Sequence, residues 1–246
     1  MNYIGALRSR YSNPRTLNRI VSSIKAYYGY LCHAGIRTDN PAQVIRLRDK
    51  ISRDIQLQDL FSTEELEVLL NRAERFTNLT YRNKVLMSLL VYQALHPTEM
   101  EALQTSDINL DAGTIYIRGI AKTNSRTLSM KPNQVLLFYQ YIREARVRLL
   151  RNNKSDALLI GHRGQSMPAE DITKHVKRSY AGLYPGRTVN AQTIRQSVIA
   201  NFLKQGHDLS LVQAFAGHKY PSTTERYRQN EIETLRAAIE KYHPIH

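Results

Sequence analysis

The apolar residues of this chain recur almost everywhere at helical spacing, and only one short region alternates like a β-sheet. Residues 15–34 carry a single apolar face at 3.6-residue spacing, formed by Leu17, Ile20, Val21, Ile24, Tyr28 and Leu31. By contrast, "GTIYIRG" alternates, "RTLSM" has the pattern of a second strand, and "IAKTNS" connects the two. The sequence therefore predicts a mainly α fold with a small, three-stranded antiparallel β-sheet.

A polar segment near residues 55–60 divides the chain. "ISRDIQLQD" has mixed charge, and Ser62 with Glu65 forms a capping box ahead of an apolar run. We predict a helical domain over residues 1–57 and a mostly helical domain over 60–246. The first would hold the helix over 15–34 and a short helix after Pro41. The second would hold helices near 80–95, from Pro97, over about 132–152, 170–182 and 191–205, and in "EIETLRAAIEKY".

The charge balance favours a polyanionic partner. The 246 residues include 35 Lys and Arg against 21 Asp and Glu, a net charge of +14. Such an excess is typical of binding to DNA or RNA and, less often, to an acidic membrane surface, although a solvated basic face would also produce it. A single cysteine, Cys32, excludes an internal disulfide framework and a cysteine-based metal site. No apolar run approaches a membrane span and no signal peptide is evident, so we expect a cytoplasmic protein at the nucleoid.

The segment "AFAGHKYPSTTERYRQ", residues 214–229, places a tyrosine between two arginines. Gly217 is expected to end one helix, and Ser222 with Glu225 to cap the next as a second capping box. Tyr227 would then lie in the second turn of a short helix. From these residues alone Tyr227 is a core side chain, a DNA-contacting aromatic or a nucleophile. Its neighbours Arg226 and Arg228 are candidate phosphate contacts.

An arginine also lies on an apolar helix face. Arg195 shares its face with Val198, Ile199 and Phe202, where burial is costly unless the charge is paired or serves a site. An exposed first turn would explain it equally well. Arg195 precedes His218 by 23 residues, and His218 precedes Tyr227 by nine.

These residues and intervals resemble the carboxyl-terminal signature of the tyrosine recombinases, the phage-integrase family. Its members read H-x-L-R-H, then L-G-H, then s-x-x-T-T-x-x-Y, and both spacings match "TIRQSVIANFLKQGHDLSLVQAFAGHKYPSTTERYRQ" without a gap. Upstream, "AKTNSRTLSM" resembles the family's K-T-x-x-S-R-t-l-p-l hairpin, which places Lys122 at the catalytic lysine. "YQALHPTEMEALQTSDINL" resembles the segment with its first catalytic arginine, and residues 12–42 resemble the end of its helical core-binding domain, apparently short by a helix or two.

The resemblance implies a DNA strand transferase that needs no cofactor and no metal. Tyr227 would attack a DNA phosphodiester and form a 3′-phosphotyrosyl link, while Arg195 and His218 would stabilise the transition-state charge. Lys122 would protonate the leaving 5′-oxygen. The implied partners are double-stranded DNA and further copies of the chain, as a tetramer on paired sites, with the final helix docked on a neighbour or folded back on its own domain. Candidate phosphate contacts, each also explicable as plain surface charge, are Arg15, Lys25, Arg126, Lys174 and Lys177.

Two positions depart from the family pattern. His96 stands where the first catalytic arginine is expected, and Gln192 where a histidine precedes the second. Because it precedes Pro97, His96 should be the N-cap of a helix. There it can donate one hydrogen bond to a phosphate, but it lacks a permanently charged fork.

Three functions therefore stay open. The chain is an active or slow recombinase or integrase of a mobile element, or a paralogue that binds DNA or partner recombinases without cutting. An ordinary helix-turn-helix regulator would account for the charge but not for the spacing.

Overall fold

The computed structural model describes residues 2–47, 59–72, 76–121 and 123–227, which form two compact units, Met1–Asp54 and Ile55–His246. The functional assignment of the two predicted domains stays a prediction. The final helix predicted in "EIETLRAAIEKY" lies outside the described residues. Within the described ranges no helix is both long and apolar enough to span a membrane.

The first unit contains two helices, α1 (Asn2–Arg10) and α2 (Pro14–His33). Helix α2 begins at Pro14, and the Asn13 side chain accepts a hydrogen bond from the backbone N–H of Arg15. Leu17 and Val21 are its buried residues. The amphipathic helix predicted over 15–34 is thus present.

The short helix predicted after Pro41 is wrong, because residues 41–44 form a turn. The Asn40 side chain accepts a hydrogen bond from the Ala42 N–H at 3.0 Å and donates to the Lys25 carbonyl at 3.1 Å. An asparagine that bonds to backbone two residues further on stabilises a turn in place of a helix start.

The second unit is mostly helical. Its helices are α3 (Thr63–Val68), α4 (Thr77–Gln93), α5 (Pro97–Ala102), α6 (Pro132–Gln140), α7 (Arg146–Leu150), α8 (Ala169–Ser179), α9 (Ala191–Lys204) and α10 (Leu209–Ala216). The Ser62–Glu65 capping box is present at the start of α3. Helix α4 buries residues on every side, including Leu86, Leu89 and Leu90, and it packs against α6 and α9 at the centre of the core.

The segment predicted as one helix over 132–152 contains a wider turn. A π-helical turn, Tyr141–Ala145, joins α6 to α7. It faces the core at Tyr141, whose hydroxyl donates to the Leu158 carbonyl at 2.8 Å. The buried phenol thus finds a partner, as burial requires.

The sheet is antiparallel with the order β1 (Ile108–Asn109), β2 (Thr114–Ile117) and β3 (Arg126–Ser129). Ile115 lies opposite Leu128, and Ile117 lies opposite Arg126. Ile115 and Ile117 are buried while Tyr116 between them is exposed, as the alternating pattern predicts. The predicted fold class is therefore confirmed.

Candidate active site

Helix α9 holds Arg195 inside the protein. Its N-cap Asn190 accepts hydrogen bonds from the first turn, and Ile194, Val198 and Ile199 bury the surrounding face. The Arg195 guanidinium donates to two backbone carbonyls, that of Ala94 and, at 2.6 Å, that of Ala216. Burial lowers the pKa of Arg195, against the charge of Glu99. The arginine is therefore buried and paired, so the alternative of an exposed first turn is wrong.

Glu99 is the anionic centre of the site. Its side chain is fully buried, and its carboxylate accepts hydrogen bonds from Arg126 Nη1 at 2.7 Å, Thr123 Oγ1 at 2.8 Å and the backbone N–H of His96 at 2.8 Å. Arg195 Nη1 lies 3.7 Å from Glu99 Oε2. Burial acts to raise the pKa of this carboxyl, but the hydrogen bonds and charge of Arg126 outweigh it, so the pKa is lowered.

Arg126 has a different environment from the one predicted for a phosphate contact. Its guanidinium side chain is 7% exposed, pairs with both oxygens of Glu99 and donates through Nε to the Phe215 carbonyl at 2.7 Å. These contacts tie β3 to α5 and to the end of α10. Because its donors are directed into the protein, the structure corrects the expectation of a surface phosphate contact.

His218 follows α10, which ends at Gly217 with a φ of 70°. The predicted helix end is confirmed, and glycine suits it because a left-handed backbone costs it little. His218 is buried, its Nδ1 lies 2.8 Å from Thr224 Oγ1, and its backbone forms a β-bridge with Thr123. Burial, then the charges of Arg195 and Arg126, lower its pKa to about 4. The imidazole is therefore neutral at pH 7.

Tyr227 lies in a helical segment, residues 221–227, and is buried. It packs with Ile199, Val212 and Ala216 in a small apolar cluster. Burial raises the pKa of its phenol, while the charges of Arg195 and Arg226 act to lower it. Tyr227 is thus both a packed core side chain and a neighbour of the buried arginine, so a position in the core is compatible with the predicted role of nucleophile.

The predicted Ser222–Glu225 capping box is wrong in register. The helical segment already begins at Pro221, and the Thr223 N–H bonds to the Tyr220 carbonyl. Proline suits a first helical position because its missing N–H would have no helical partner there. Ser222 therefore lies inside the first turn.

His96 occupies the predicted N-cap position of α5, with Pro97 first in the helix. Its side chain is exposed, and Nδ1 accepts a hydrogen bond from the Thr98 N–H at 3.3 Å and lies 2.7 Å from Thr98 Oγ1. Acceptance at Nδ1 places the proton of the neutral ring on Nε2. Gln192 is exposed in the first turn of α9.

The remaining predicted site residues lie either outside the described residues or at partly or fully exposed positions. Lys122 and Arg228 lie outside the described residues, although Thr123 beside Lys122 is anchored to Glu99. Lys174 pairs with Glu170 at 2.9 Å on the surface of α8. Arg15, Lys177 and Arg226 are exposed, and Lys25 is half-buried. No cluster of metal-ligating side chains occurs in the part of the chain that the structure describes.

The structure therefore places Glu99, His218 and Tyr227 around the buried Arg195. Two buried guanidinium groups and one buried carboxylate leave a surplus of positive charge beside a phenol and a neutral imidazole, an environment suited to a phosphate anion. Sequence reasoning missed the contacts of Thr123 and Thr224. The only available signal was their position in the chain. Thr123 comes one residue after Lys122, and Thr224 comes three residues before Tyr227.

Comparison with known proteins identifies the family to which this fold and these motifs are similar. Residues 60–233 match the model of the Phage integrase family. The "Tyrosine recombinase XerD" of Oceanobacillus iheyensis is 29% identical over 247 residues, covering 99% of this chain and 81% of the relative. XerD of Listeria innocua is 25% identical over 246 residues, with 99% and 81% covered.

Solved structures share the fold. The XerH site-specific recombinase bound to difH substrate in a pre-cleavage complex aligns with a TM-score of 0.71 at 21% identity, covering 96% of this chain and 67% of that one. The Tn1549 transposon integrase in complex with transposon right end DNA aligns with a TM-score of 0.67 at 16% identity, covering 98% and 83%.

Proposed function

The chain belongs to the phage integrase family, the tyrosine recombinases, and from this premise we propose that it is a site-specific DNA recombinase that cleaves and rejoins DNA through a 3′-phosphotyrosyl intermediate. The observation that carries the proposal is that buried Arg195 interacts both with the buried phenol of Tyr227 and with buried His218. A protein that only binds DNA has no physical need for a buried guanidinium beside a phenol, because burying that charge is costly.

Each residue has a distinct part in the proposed reaction. The Tyr227 hydroxyl releases its proton to solvent as its oxygen attacks the phosphorus, the bond to the 5′-oxygen breaks, and Lys122 gives that oxygen a proton that solvent later returns to the amine. Arg195 and the neutral His218 donate hydrogen bonds to the non-bridging oxygens, where negative charge accumulates. His96 Nε2–H supplies one further donor at the position of the first arginine. Gln192 takes the place of the preceding histidine and donates through its amide.

The proposed reaction conserves bond energy, so it requires neither a metal nor a nucleotide cofactor. Cleavage should therefore persist at an unchanged rate after dialysis against EDTA and after removal of nucleotides. A loss of cleavage that Mg²⁺ restores would contradict this part of the proposal.

A second candidate is a DNA-binding accessory protein without cutting activity. It is favoured by His96 and Gln192, which replace two residues of the family pattern, and by the engagement of both terminal nitrogens of Arg195 with backbone carbonyls. The two functions share the DNA partner and action at the nucleoid in the cytoplasm. They differ only in whether a covalent bond forms.

The deciding experiment is a trap for the covalent intermediate. Binding sites are first selected from random DNA, and a suicide duplex with a nick beside the scissile phosphate is then incubated with the protein. We expect an adduct that survives denaturation, with the DNA attached at Tyr227 by mass spectrometry. Tight binding without an adduct, in both the wild type and His96→Arg, would establish the accessory function instead.

Assembly on paired sites is proposed from the resemblance to the family. Residues 231–246 contain an apolar face at Ile232, Leu235, Ala238 and Ile239, and we propose that this segment docks on a neighbouring subunit. Deleting it should weaken cooperative binding to a two-site DNA while single-site affinity stays within about twofold. If only the stability of the monomer changes, the segment folds back on its own unit.

A further inference from the structure

Thr224 and His218 form a buried pair next to Tyr227. Thr224 is completely buried, His218 is 7% exposed, and Thr224 Oγ1 lies 2.8 Å from His218 Nδ1. The backbone of His218 is held on both sides, since its N–H donates to the Gln213 carbonyl and its own carbonyl accepts from Gln213 Nε2 at 3.1 Å. The imidazole therefore has one fixed position and one fixed neighbour at Nδ1.

The direction of this hydrogen bond follows from the hydroxyl. A threonine hydroxyl has one proton to donate, and a buried proton without an acceptor is costly. Across residues 2–47, 59–72, 76–121 and 123–227, His218 Nδ1 is the one side-chain or backbone atom bonded to Thr224 Oγ1. If Nδ1 carried a proton and donated it, the Thr224 proton would be buried without a partner. The opposite direction satisfies both groups, with O–H donating and Nδ1 accepting.

We propose that Thr224 is a positioning residue that holds His218 in the tautomer protonated at Nε2 and so makes it a neutral hydrogen-bond donor. The tautomer is a property of the free protein. Its purpose rests on the proposed function, in which His218 donates to a non-bridging phosphate oxygen. A histidine in the other tautomer would present a lone pair at Nε2 and repel that oxygen.

The charges around His218 explain why a tautomer lock is needed. The charged groups that act on it are Arg195 on α9, Arg126 on β3 and Glu99 on α5. Burial and the two guanidinium groups oppose protonation and hold the pKa of His218 at about 4. A doubly protonated imidazole, which donates from both nitrogens, is thus not available at neutral pH. The single proton must be directed to Nε2.

Nitrogen NMR of the free protein tests the tautomer without any DNA. With ¹⁵N-labelled histidine at pH 7, and His218 assigned by comparison with His218→Gln, Nδ1 should resonate as an unprotonated nitrogen and Nε2 as a protonated one. Thr224→Ser should keep this pattern. Thr224→Val, nearly isosteric without the hydroxyl, should give a mixture of tautomers. A proton on Nδ1 in the wild type, or an unchanged single tautomer in Thr224→Val, would overturn the inference.

Thr223 supplies a matched control, because Thr223→Val makes the same chemical change one residue away and should leave the His218 signals unchanged. On a cleavable site, Thr224→Val should lower the cleavage rate roughly 10-fold at unchanged DNA affinity, and Thr224→Ser should restore most of it. An equal loss in the serine variant would contradict the role of the hydroxyl. If the tautomer is as expected but the wild type never cleaves, the proposed function fails while the assignment of Thr224 stands.

Discussion

At the scale of single residues, the site is organised by the buried carboxylate of Glu99. Glu99 is neutralised by Arg126 and receives hydrogen bonds from Thr123 and the His96 backbone. The replacement of the first family arginine by His96 therefore leaves no uncompensated buried charge, which would otherwise be strongly destabilising. The substitution removes one hydrogen-bond donor from the proposed reaction and leaves the buried carboxylate paired.

His96→Arg should consequently accelerate cleavage. The exposed N-cap position has room for a longer side chain, and a charged fork toward the phosphate is expected to raise the rate by about 10²-fold. Loss of the cap should lower the unfolding free energy by about 1 kcal/mol. His96→Ala is the control, since it removes the same cap without adding a guanidinium. Equal cleavage rates for the arginine and alanine variants would show that this donor is not what limits the enzyme.

His218 predicts a pH dependence of stability. Its pKa is about 4 in the folded protein against an ordinary value of 6.5, so between these values the unfolded chain binds a proton that the folded chain does not. Its contribution is full above pH 6.5 and is lost as the pH falls toward 4, by at most about 3 kcal/mol. Denaturant unfolding of wild type and His218→Gln at pH 7 and pH 5 measures it. The wild type should lose more stability than the variant; equal losses would refute the prediction.

Single residues were predictable from the sequence where their spacing was informative. The intervals from Arg195 to His218 and Tyr227 identify residues that the fold brings together. Arg126 was not predictable in the same way, because its partner Glu99 lies 27 residues away in the chain and only the fold makes them neighbours. A positive charge on a strand looks the same in sequence whether it faces solvent or a buried carboxylate.

At the scale of secondary structure, the β2–β3 hairpin is tied to the loop before His218. The Asn124 N–H donates to the Gly217 carbonyl at 2.8 Å, Thr123 forms a β-bridge with His218, and the Arg126 guanidinium fills the space that a Cβ at Gly217 would need. These contacts hold the residues on the carboxyl-terminal side of Lys122 against the site. A substitution in either the loop or the hairpin should therefore perturb the structure of both.

Gly217→Ala should lower the unfolding free energy by more than the strain of a positive φ alone explains. Both Gly217 and Gly182 have positive φ, 70° and 74°, but a Cβ at Gly217 would collide with the Arg126 guanidinium, whereas at Gly182 nothing lies within 4 Å. We expect about 1 kcal/mol for Gly182→Ala, from backbone strain, and at least about 1 kcal/mol more for Gly217→Ala. Chemical denaturation measures both. Equal losses of unfolding free energy in the two variants would mean that the collision with Arg126 adds nothing to the backbone strain.

Helix starts were predictable only in part. The Ser62–Glu65 pattern is a capping box in the structure, whereas the same spacing at Ser222–Glu225 is not, because Pro221 already begins the helix. The two signals compete when they are adjacent, and proline at the first helical position prevails. At Asn40–Pro41 a side-chain hydrogen bond to backbone produces a turn.

At the scale of the whole molecule, the periodicity of apolar residues was sufficient to predict the fold class, since most of the helical segments in the described residues, and the alternating segments, occur where it places them. The tertiary pairings were not predictable, because periodicity identifies a buried face but not the element that covers it. The net charge of +14 predicts an anionic partner in the same general way. It does not distinguish which lysines and arginines contact phosphate.

The salt dependence of DNA binding distinguishes the lysines and arginines that contact phosphate from those that do not. The logarithm of the DNA affinity should fall linearly with the logarithm of salt concentration, and each phosphate contact contributes about 0.9 to the slope. Lys177→Ala, on the exposed face of α8, should reduce the slope by about 1. Lys154→Ala removes an exposed lysine outside the candidate set and should leave the slope unchanged. Identical slopes for wild type and Lys177→Ala would remove Lys177 from the interface.

The central claim, that Tyr227 is the nucleophile of a DNA strand transferase, is tested most directly by comparing two tyrosine variants on the nicked suicide duplex. Tyr227→Phe removes only the hydroxyl from a buried ring, and Tyr220→Phe removes one from a ring that is 70% exposed seven residues earlier. The wild type and Tyr220→Phe should both form the covalent adduct. Tyr227→Phe should form none while binding the same DNA with affinity within about twofold. An adduct that persists in Tyr227→Phe, or disappears in Tyr220→Phe, would contradict the account.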